Sequence, residues 1–268
     1  MFDKQVRQFK YHMGYQPDLK DPKTFSEKLF LRKMLDRREL LVQCTDKLRA
    51  KGWVRGLTDA RPVPTSHVGM DWEYAETPFI AKPNNYSGET YLVTGAEQWE
   101  QVRKRFKEIK AVPYGQDKYQ WAYSQVPFKV MIEPFIDFDY EFKLFCFDGK
   151  CRVIRLMGEN KSPSGVLAAV GTRSHFLPDG TFLQVEQKNH PIGQTRLPEE
   201  VDMQAVIRAA EGLSEDIDFV RMDLFWHRGT IYYGEHTVYP ASGHCRWNPQ
   251  SFDQVLGEFW NLPGFLRL

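Results

Sequence analysis

Phe219-Val220-Arg221-Met222-Asp223-Leu224-Phe225 is followed, five residues later, by Ile231-Tyr232-Tyr233-Gly234-Glu235-His236-Thr237. Both runs concentrate aromatic and β-branched residues, and Arg228-Gly229 between them is a turn signal, so the pair reads as a β-hairpin. Side chains alternate along a strand, which puts Arg221, Asp223 and Phe225 on one face and groups Tyr233, Glu235 and Thr237 on another. A three-residue connection of Arg228, Gly229 and Thr230, with glycine in the left-handed position, sets His227 opposite Ile231 and Asp223 opposite Glu235. Carboxylates facing across a ladder, with Cβ atoms roughly 4.5–5.5 Å apart, repel. A hard divalent cation shared between them reverses the sign, and oxygen ligands are what Mg²⁺ takes. The bland alternative is a surface hairpin whose acids point to water. Bulky aromatics on the acid-bearing faces argue instead for a half-buried site.

The rest of the chain narrows the choices. Its 268 residues suffice for one large domain or two interlocked lobes. A net charge of +1, with acids and bases interspersed, gives no nucleic-acid tract. No apolar run reaches the roughly 18 residues of a membrane span, and the N-terminus lacks a signal-peptide core, so a cytoplasmic protein is expected. Cys44 and Cys245 stand alone. Cys146 and Cys151 flank an Asp148-Gly149 hairpin turn as cross-strand neighbours, a geometry awkward for a disulfide, so free packed thiols are expected.

In chain order, an amphipathic stretch (Val6, Phe9, Tyr11, Met13) ends near Gly14. Thr24-Phe25-Ser26-Glu27 is a capping box that predicts a helix over 25–36, and a second helix is predicted from Glu39 to Lys51. Phe79–Pro83 and Thr90–Val93 read as strands around the polar loop Asn84–Glu89. Lys82, with the Ser87-Gly88 loop, can meet phosphate through its ammonium and the loop's backbone N–H groups; a solvated lysine is the commoner outcome. A helix is predicted over 96–110 and a strand over Val130–Ile136. Asp139–Phe147 and Cys151–Met157 form a hairpin with Glu141 and Lys143 on one face. Residues 158–178, carrying Lys161, Arg173 and His175, read as a mobile loop. A helix is predicted from Pro198 to Leu213, with Glu199 and Glu200 in its first turn, and a closing helix near Phe252–Trp260.

The order of these parts resembles an ATP-grasp enzyme, and the wording is closest to the TupA-like ATP-grasp family of bacterial surface-polysaccharide synthesis. The matching residues are Asp21–Lys28 with Asp36-Arg37, Lys82 with Ser87-Gly88, Phe145–Lys150, Val220–Leu224, and Gly234-Glu235 through Gly243. The resemblance implies an α+β ATP-grasp fold in which two lobes with antiparallel sheets sandwich the nucleotide. Residues 1–74 would form a helical N-terminal segment, 75–132 the small lobe, and 133–268 the lobe with the Mg-ATP site.

It also implies roles. Lys82, Ser87 and Gly88 would hold phosphates, Glu133 the adenine amino group, main chain at Phe135 and Ile136 the ring edge, and Glu141 the ribose. Asp223, Glu235 and Thr237 would bind Mg²⁺. Arg221 would stabilise the transferring phosphoryl group, and Lys143 would reach a phosphate. Arg155, Arg173, His175, Ser242, Gly243, His244 and Arg246 are candidate anchors for substrate. The loop is poorer in glycine than the family's usual phosphate loop, with Tyr86 and Glu89 at glycine positions. Threonine at 237 stands where broader ATP-grasp ligases place asparagine.

The implied reaction joins a carboxylate to an amine, of an amino acid or amino sugar, through an acylphosphate. A kinase on the same nucleotide site and a non-catalytic glycan-binding scaffold remain as alternatives. A glycosyltransferase would rest on pathway association alone. The oligomeric state is open.

Overall fold

The chain is described by a computed structural model covering residues 2–71, 78–158 and 171–268. Its first part is helical: α1 (Phe2–Met13), α2 (Phe25–Leu35), α3 (Glu39–Thr45) and α4 (Lys47–Val54) lead to the short strands β1 (Arg61–Pro62) and β2 (His67–Val68). Then come β3 (Phe79–Pro83), β4 (Tyr91–Val93), α5 (Ala96–Lys110), α6 (Trp121–Ser124) and β5 (Val130–Pro134). The meander β6 (Tyr140–Phe147), β7 (Lys150–Met157), β8 (Arg173–Phe176) and β9 (Phe182–Leu183) follows, then β10 (Glu186–Gln187) and α7 (Met203–Ser214). The chain closes with β11 (Phe219–His227), β12 (Thr230–Thr237), β13 (Trp247–Asn248) and α8 (Phe252–Glu258).

These strands make a seven-stranded sheet in the order β1-β12-β11-β6-β7-β8-β9 and a four-stranded sheet in the order β2-β5-β3-β4. Both are antiparallel except where β1 joins β12 in parallel. A small ribbon pairs β10 with β13. The stretch before residue 75 thus supplies one short strand to each sheet as well as helices to the larger core.

Alternation decides what each sheet buries. Val220, Met222 and Leu224 of β11 and Leu144 and Cys146 of β6 are fully buried beneath α7, which brings Val206, Ala209, Ala210 and Leu213 to the same core. The opposite face of that sheet carries the polar residues. In the smaller sheet Phe79, Ala81 and Ile132 pack beneath Trp99, Val102 and Phe106 of α5, while Lys82 and Ile80 alternate to the other face.

Local chemistry fixes the helices that reach the site. Thr24 and Glu27 form the capping box of α2: the Glu27 N–H donates to Thr24 Oγ1 at 3.2 Å and the Thr24 N–H to Glu27 Oε2 at 3.0 Å. Arg32 of α2, fully buried, donates to the Phe219 carbonyl at 2.7 Å and to Asp218 Oδ2 at 2.6 Å, tying the helix to the root of β11. The single helix expected over Glu39–Lys51 is broken at Asp46. That carboxylate accepts from the Leu48 and Arg49 N–H groups and restarts the chain as α4. The helix expected from Pro198 begins only at Met203, because Asp202 caps it by accepting from the Ala205 N–H at 2.9 Å. Glu199 and Glu200 therefore lie outside its first turn. Among the described residues of the expected loop 158–178, Arg173–Phe176 is a buried strand rather than loop; Lys161 lies outside the described residues.

The central hairpin pairs Asp223 with Glu235 as expected, by a different route. The turn has two residues, Arg228 (φ 47°) and Gly229 (φ 79°), so His227 faces Thr230 and Trp226 faces Ile231. The compensating residue is Gly234, which bulges between the Leu224–Tyr233 and Asp223–Glu235 pairs. A Cβ on Gly234 would lie 2.7 Å from Phe225 Cε2 and 2.8 Å from the Asp223 carbonyl oxygen, which reserves the position for glycine. The bulge also corrects the face assignment. Tyr233 is buried on the core side, its hydroxyl 2.6 Å from His236 Nδ1, while Glu235 and Thr237 turn to the face of Asp223. Cys146 and Cys151 are cross-strand partners and, like Cys44 and Cys245, are free thiols.

Candidate functional site

Sheet register assembles the site. Reading across five strands from β12 to β8, Glu235, Asp223, Lys143, Arg155 and His175 stand side by side. A row to one side holds Thr237 and Arg221; a row to the other holds Phe225, Glu141 and Arg173. All lie on the face away from α7.

Asp223, 3% exposed, is the hub. Arg221 grips it with two hydrogen bonds, Nε to Oδ1 at 2.7 Å and Nη2 to Oδ2 at 2.6 Å, and Lys143 Nζ donates to Oδ2 at 2.9 Å. Burial pushes the Asp223 carboxyl up, but Arg221 and Lys143 outweigh it and hold it down at about 2. Burial likewise works against the Lys143 ammonium, yet Asp223 and Glu141 (Oε1 at 2.7 Å) leave it raised. Thr237 Oγ1 donates to Glu235 Oε1 at 3.0 Å and accepts from Arg221 Nη2 at 3.0 Å.

Two lysines enter that the sequence reading did not single out. Lys47 Nζ reaches Glu235 Oε2 at 3.2 Å and donates to the Tyr86 carbonyl at 2.7 Å, joining the larger sheet to the Asn84–Glu89 loop. Lys51, one turn along α4, bonds Glu133 Oε1, and Lys82 Nζ pairs with Glu133 Oε2 at 2.8 Å. The signal was Asp46-Lys47-Leu48-Arg49-Ala50-Lys51, a capping acid followed by lysines four apart on one helix face.

Glu133 is 3% exposed and both its oxygens serve lysines. Burial alone would raise its pKa; Lys82 and Lys51 bring it below the usual value. It orients two ammonium groups rather than presenting a free carboxylate. Phe135 and Ile136 follow β5, with the Ile136 carbonyl accepting from the Phe138 N–H at 3.0 Å. In the loop, Gly88 takes φ 87° beside Ser87. Tyr86 packs its ring 4.0 Å from that of Tyr114, and Arg105 Nη2 holds Glu89 at 2.5 Å. The residues standing where glycine is usual therefore have structural partners.

At the far end of the row, Arg155 is 4% exposed and has no carboxylate within 4.0 Å among the described residues. Its Nε donates to His175 Nε2 at 3.0 Å, and His175 Nδ1 lies 3.2 Å from the Val185 carbonyl. Burial, then Arg155, pushes the His175 imidazole well below its usual value, so it is neutral. Burial lowers Arg155 to about 9 and Arg173 to about 10; both remain cations at neutral pH.

Ser242, Gly243, His244 and Arg246 are not brought to this row. Ser242 accepts from the buried Lys33 ammonium at 2.9 Å (carbonyl) and 3.2 Å (hydroxyl). Gly243 (φ 77°) abuts Leu29, His244 stacks on His12, and Arg246 binds carbonyls at the end of α1.

Lys47, Lys51, Lys82, Lys143, Arg155, Arg173 and Arg221 outnumber Glu133, Glu141, Asp223 and Glu235, an excess that suits a polyanion. Among the described residues no third acid, histidine or cysteine joins Asp223 and Glu235 as a metal ligand. Mg²⁺ commonly uses one or two carboxylates together with substrate phosphates and water. The pair, with Thr237 Oγ1 beside it, therefore fits a metal that arrives with polyphosphate.

The chain is similar in fold to several solved structures. They include an L-amino acid ligase from Bacillus licheniformis (17% identity, TM-score 0.46, covering 75% of this chain and 42% of that one). A D-alanine–D-alanine ligase from Helicobacter pylori gives 18% identity and a TM-score of 0.46 over 84% of this chain and 64% of that one. The Bacillus anthracis D-alanine–D-alanine ligase solved with ATP gives 17% and 0.41 over 73% and 53%. The chain thus spans about half the length of these structures. No curated protein matches it. The family model described as TupA-like ATPgrasp matches residues 27–261, a span that includes the Asp223–Glu235 hairpin, Lys47, Lys51 and Lys82. The chain belongs to the TupA-like ATP-grasp family.

Proposed function

We propose that the protein is a Mg-ATP-dependent carboxylate–amine ligase that forms an amide through an acylphosphate. The observation that carries this reading is the transverse row, which sets a carboxylate pair beside Lys143 and Arg221 and, towards its far end, the buried Arg155 guanidinium, which has no acidic partner among the described residues. A buried cation left unpaired is costly, and an anionic ligand relieves that cost. A carboxylate on Arg155 would lie on the same sheet face as the phosphate-binding groups.

In this reading Lys47, Lys51 and Lys82 hold the nucleotide phosphates, with Ser87 and Gly88 over them; Glu133 keeps Lys51 and Lys82 in place. Glu141 accepts from the ribose, and main chain at Phe135 and Ile136 meets the adenine. Asp223, Glu235 and Thr237 hold Mg²⁺, which supplies charge neutralisation on the phosphates. One oxygen of the substrate carboxylate attacks the γ-phosphorus, the bond to the β–γ bridging oxygen breaks, and ADP leaves. Arg221 and Lys143 stabilise charge on the transferring group. The amine nitrogen then adds to the acyl carbon, inorganic phosphate leaves, and the amine proton passes to solvent or a nearby base. Burial of the row excludes water, which would otherwise hydrolyse the acylphosphate.

The family's association with surface polysaccharide supports a uronate- or amino-acid-bearing precursor of capsule or teichuronic-type polymers as substrate. No helix among the described residues is long and apolar enough to cross a membrane, in keeping with a cytoplasmic location. A buried arginine recognises a carboxylate better than a hydroxyl, which favours ligation over phosphorylation of an alcohol. The test is ATP-dependent phosphate release across a panel of amino acids and uronic acids. Release that requires both a carboxylate and an amine supports the ligase. Stable transfer of phosphate to a single acceptor makes it a kinase, and failure to bind Mg-ATP makes it a non-catalytic scaffold.

A further inference from the structure

Outside the row, the chain builds a second polar concavity where α1 ends. A cavity of about 470 Å³ opens between that helix, the turn after β10 and the segment leading into β13. This lies within the roughly 300–1,000 Å³ range of small-molecule sites. Tyr11 borders it and is 78% exposed, the His12 and His244 rings stack at 4.5 Å, and Lys188 and Asn189 close the rim. Among the described residues no acidic side chain lines it.

Part of this surface is structural. Arg246 donates to the His12 carbonyl and, at 3.0 Å, to the Tyr11 carbonyl, closing the C-terminal end of α1, and its own carbonyl accepts from the Lys188 N–H at 2.9 Å. These bonds fix the cavity's shape, and the exposed Lys188 ammonium has no acidic partner among the described residues. Lys33 and Lys118 add positive potential near His244, whose imidazole burial keeps neutral.

The floor of the cavity backs onto the substrate end of the row. Gln187, in the lining, accepts from Arg173 Nη1 at 2.5 Å, and its ladder partner Trp247 packs 5.6 Å from the Arg155 guanidinium and 5.3 Å from the His175 ring. One pair of residues thus separates the concavity from the two buried arginines.

We propose that this cavity binds an anionic saccharide, a sugar carrying carboxylate or phosphate. Planar faces from Tyr11 and the imidazole pair suit the C–H faces of a sugar ring, the amides and neutral imidazoles suit its hydroxyls, and Lys188 takes the charge. Binding of the saccharide here does not rest on the ligase reading.

The full chain is titrated calorimetrically with trigalacturonate, glucose 6-phosphate, neutral maltotriose and a hexaglutamate peptide, and separately with Mg-ATP. At least one charged sugar is expected to bind with one-to-one stoichiometry and maltotriose much more weakly. The two charged probes tell carboxylate from phosphate. Lys188→Gln, at an exposed position, should weaken binding by about tenfold, the worth of one charge-assisted hydrogen bond. Tyr11→Ala should also weaken it, and neither change should alter Mg-ATP affinity. Absence of binding by either charged sugar, equal binding of maltotriose, equal binding of a hexaglutamate peptide, or an unchanged affinity in Lys188→Gln overturns the proposal. Sugar binding by a chain that does not bind Mg-ATP keeps the site and removes the ligase.

Discussion

Replacing Asp223 by Asn tests the electrostatics of the row before any ligand is added. The carboxylate is held at about 2, against an ordinary 3.8, by Arg221 and Lys143. At about 1.4 kcal/mol per pKa unit, that shift corresponds to about 2–3 kcal/mol of stability. Because the folded-state value is depressed, this contribution is fully present above the unfolded value near 4. It fades as pH falls from about 4 to about 2. Asp223→Asn should therefore lower the unfolding free energy by about 2–3 kcal/mol in urea titrations at pH 7. The difference from wild type should stay flat down to pH 4.5 and shrink below pH 4. In the Asp223→Asn background Lys143→Met should cost less than it does in wild type, since the Lys143–Asp223 bond is already gone and Glu141 alone still holds that ammonium. A cost under about 0.5 kcal/mol at pH 7, or a difference that persists unchanged below pH 4, refutes the idea that Arg221 and Lys143 hold this carboxylate.

Gly234→Ala should force the bulge to shift, because its Cβ would meet Phe225 and the Asp223 carbonyl oxygen at 2.7 and 2.8 Å; calorimetry should then show Mg-ATP affinity down at least about tenfold. Arg155→Gln should raise KM for the carboxylate substrate by about tenfold or more, with Mg-ATP affinity within about twofold, read by steady-state phosphate release. Asp253 is buried, donated to by Ser26 at 3.0 Å, and raised by burial to about 7. Its raised folded-state value means stability falls as pH climbs from about 4 to about 7. Asp253→Asn should therefore raise Tm relative to wild type at pH 8 and match it near pH 4.

The hairpin was legible because its polar residues alternate inside an aromatic and β-branched run, and Asp223 does face Glu235. The route was hidden. A three-residue turn and a two-residue turn with a bulge give the same pairing beyond residue 234, and only backbone geometry separates them. The bulge also sends Tyr233 to the core, which strict alternation along β12 could not reveal. Helix α5 matched its expected span because its apolar spacing was uninterrupted, whereas the Glu39–Lys51 pattern ran through Asp46 without an apolar break. That cap turns Lys47 and Lys51 toward Glu235 and Glu133, so two of the site's cations were missed. Arg173 and His175 read as loop because Arg-Ser-His-Phe lacks apolar alternation. Their strand is buried for its polar contacts, one to Gln187 and one to Arg155. Glu133 was recognised as a site residue, but its two lysine partners lie 51 and 82 residues away in sequence or across the small sheet, beyond what local pattern reveals.

The central claim is that Asp223 and Glu235 share one magnesium ion carrying nucleotide phosphates. A crystal structure of the chain with ADP and Mg²⁺ tests it most directly. The expected result is a metal about 2.0–2.1 Å from an oxygen of each carboxylate, with Lys143 and Arg221 released toward the phosphates. Nucleotide and metal bound elsewhere, with Asp223 still clamped by Arg221 and Glu235 still on Lys47, would contradict it.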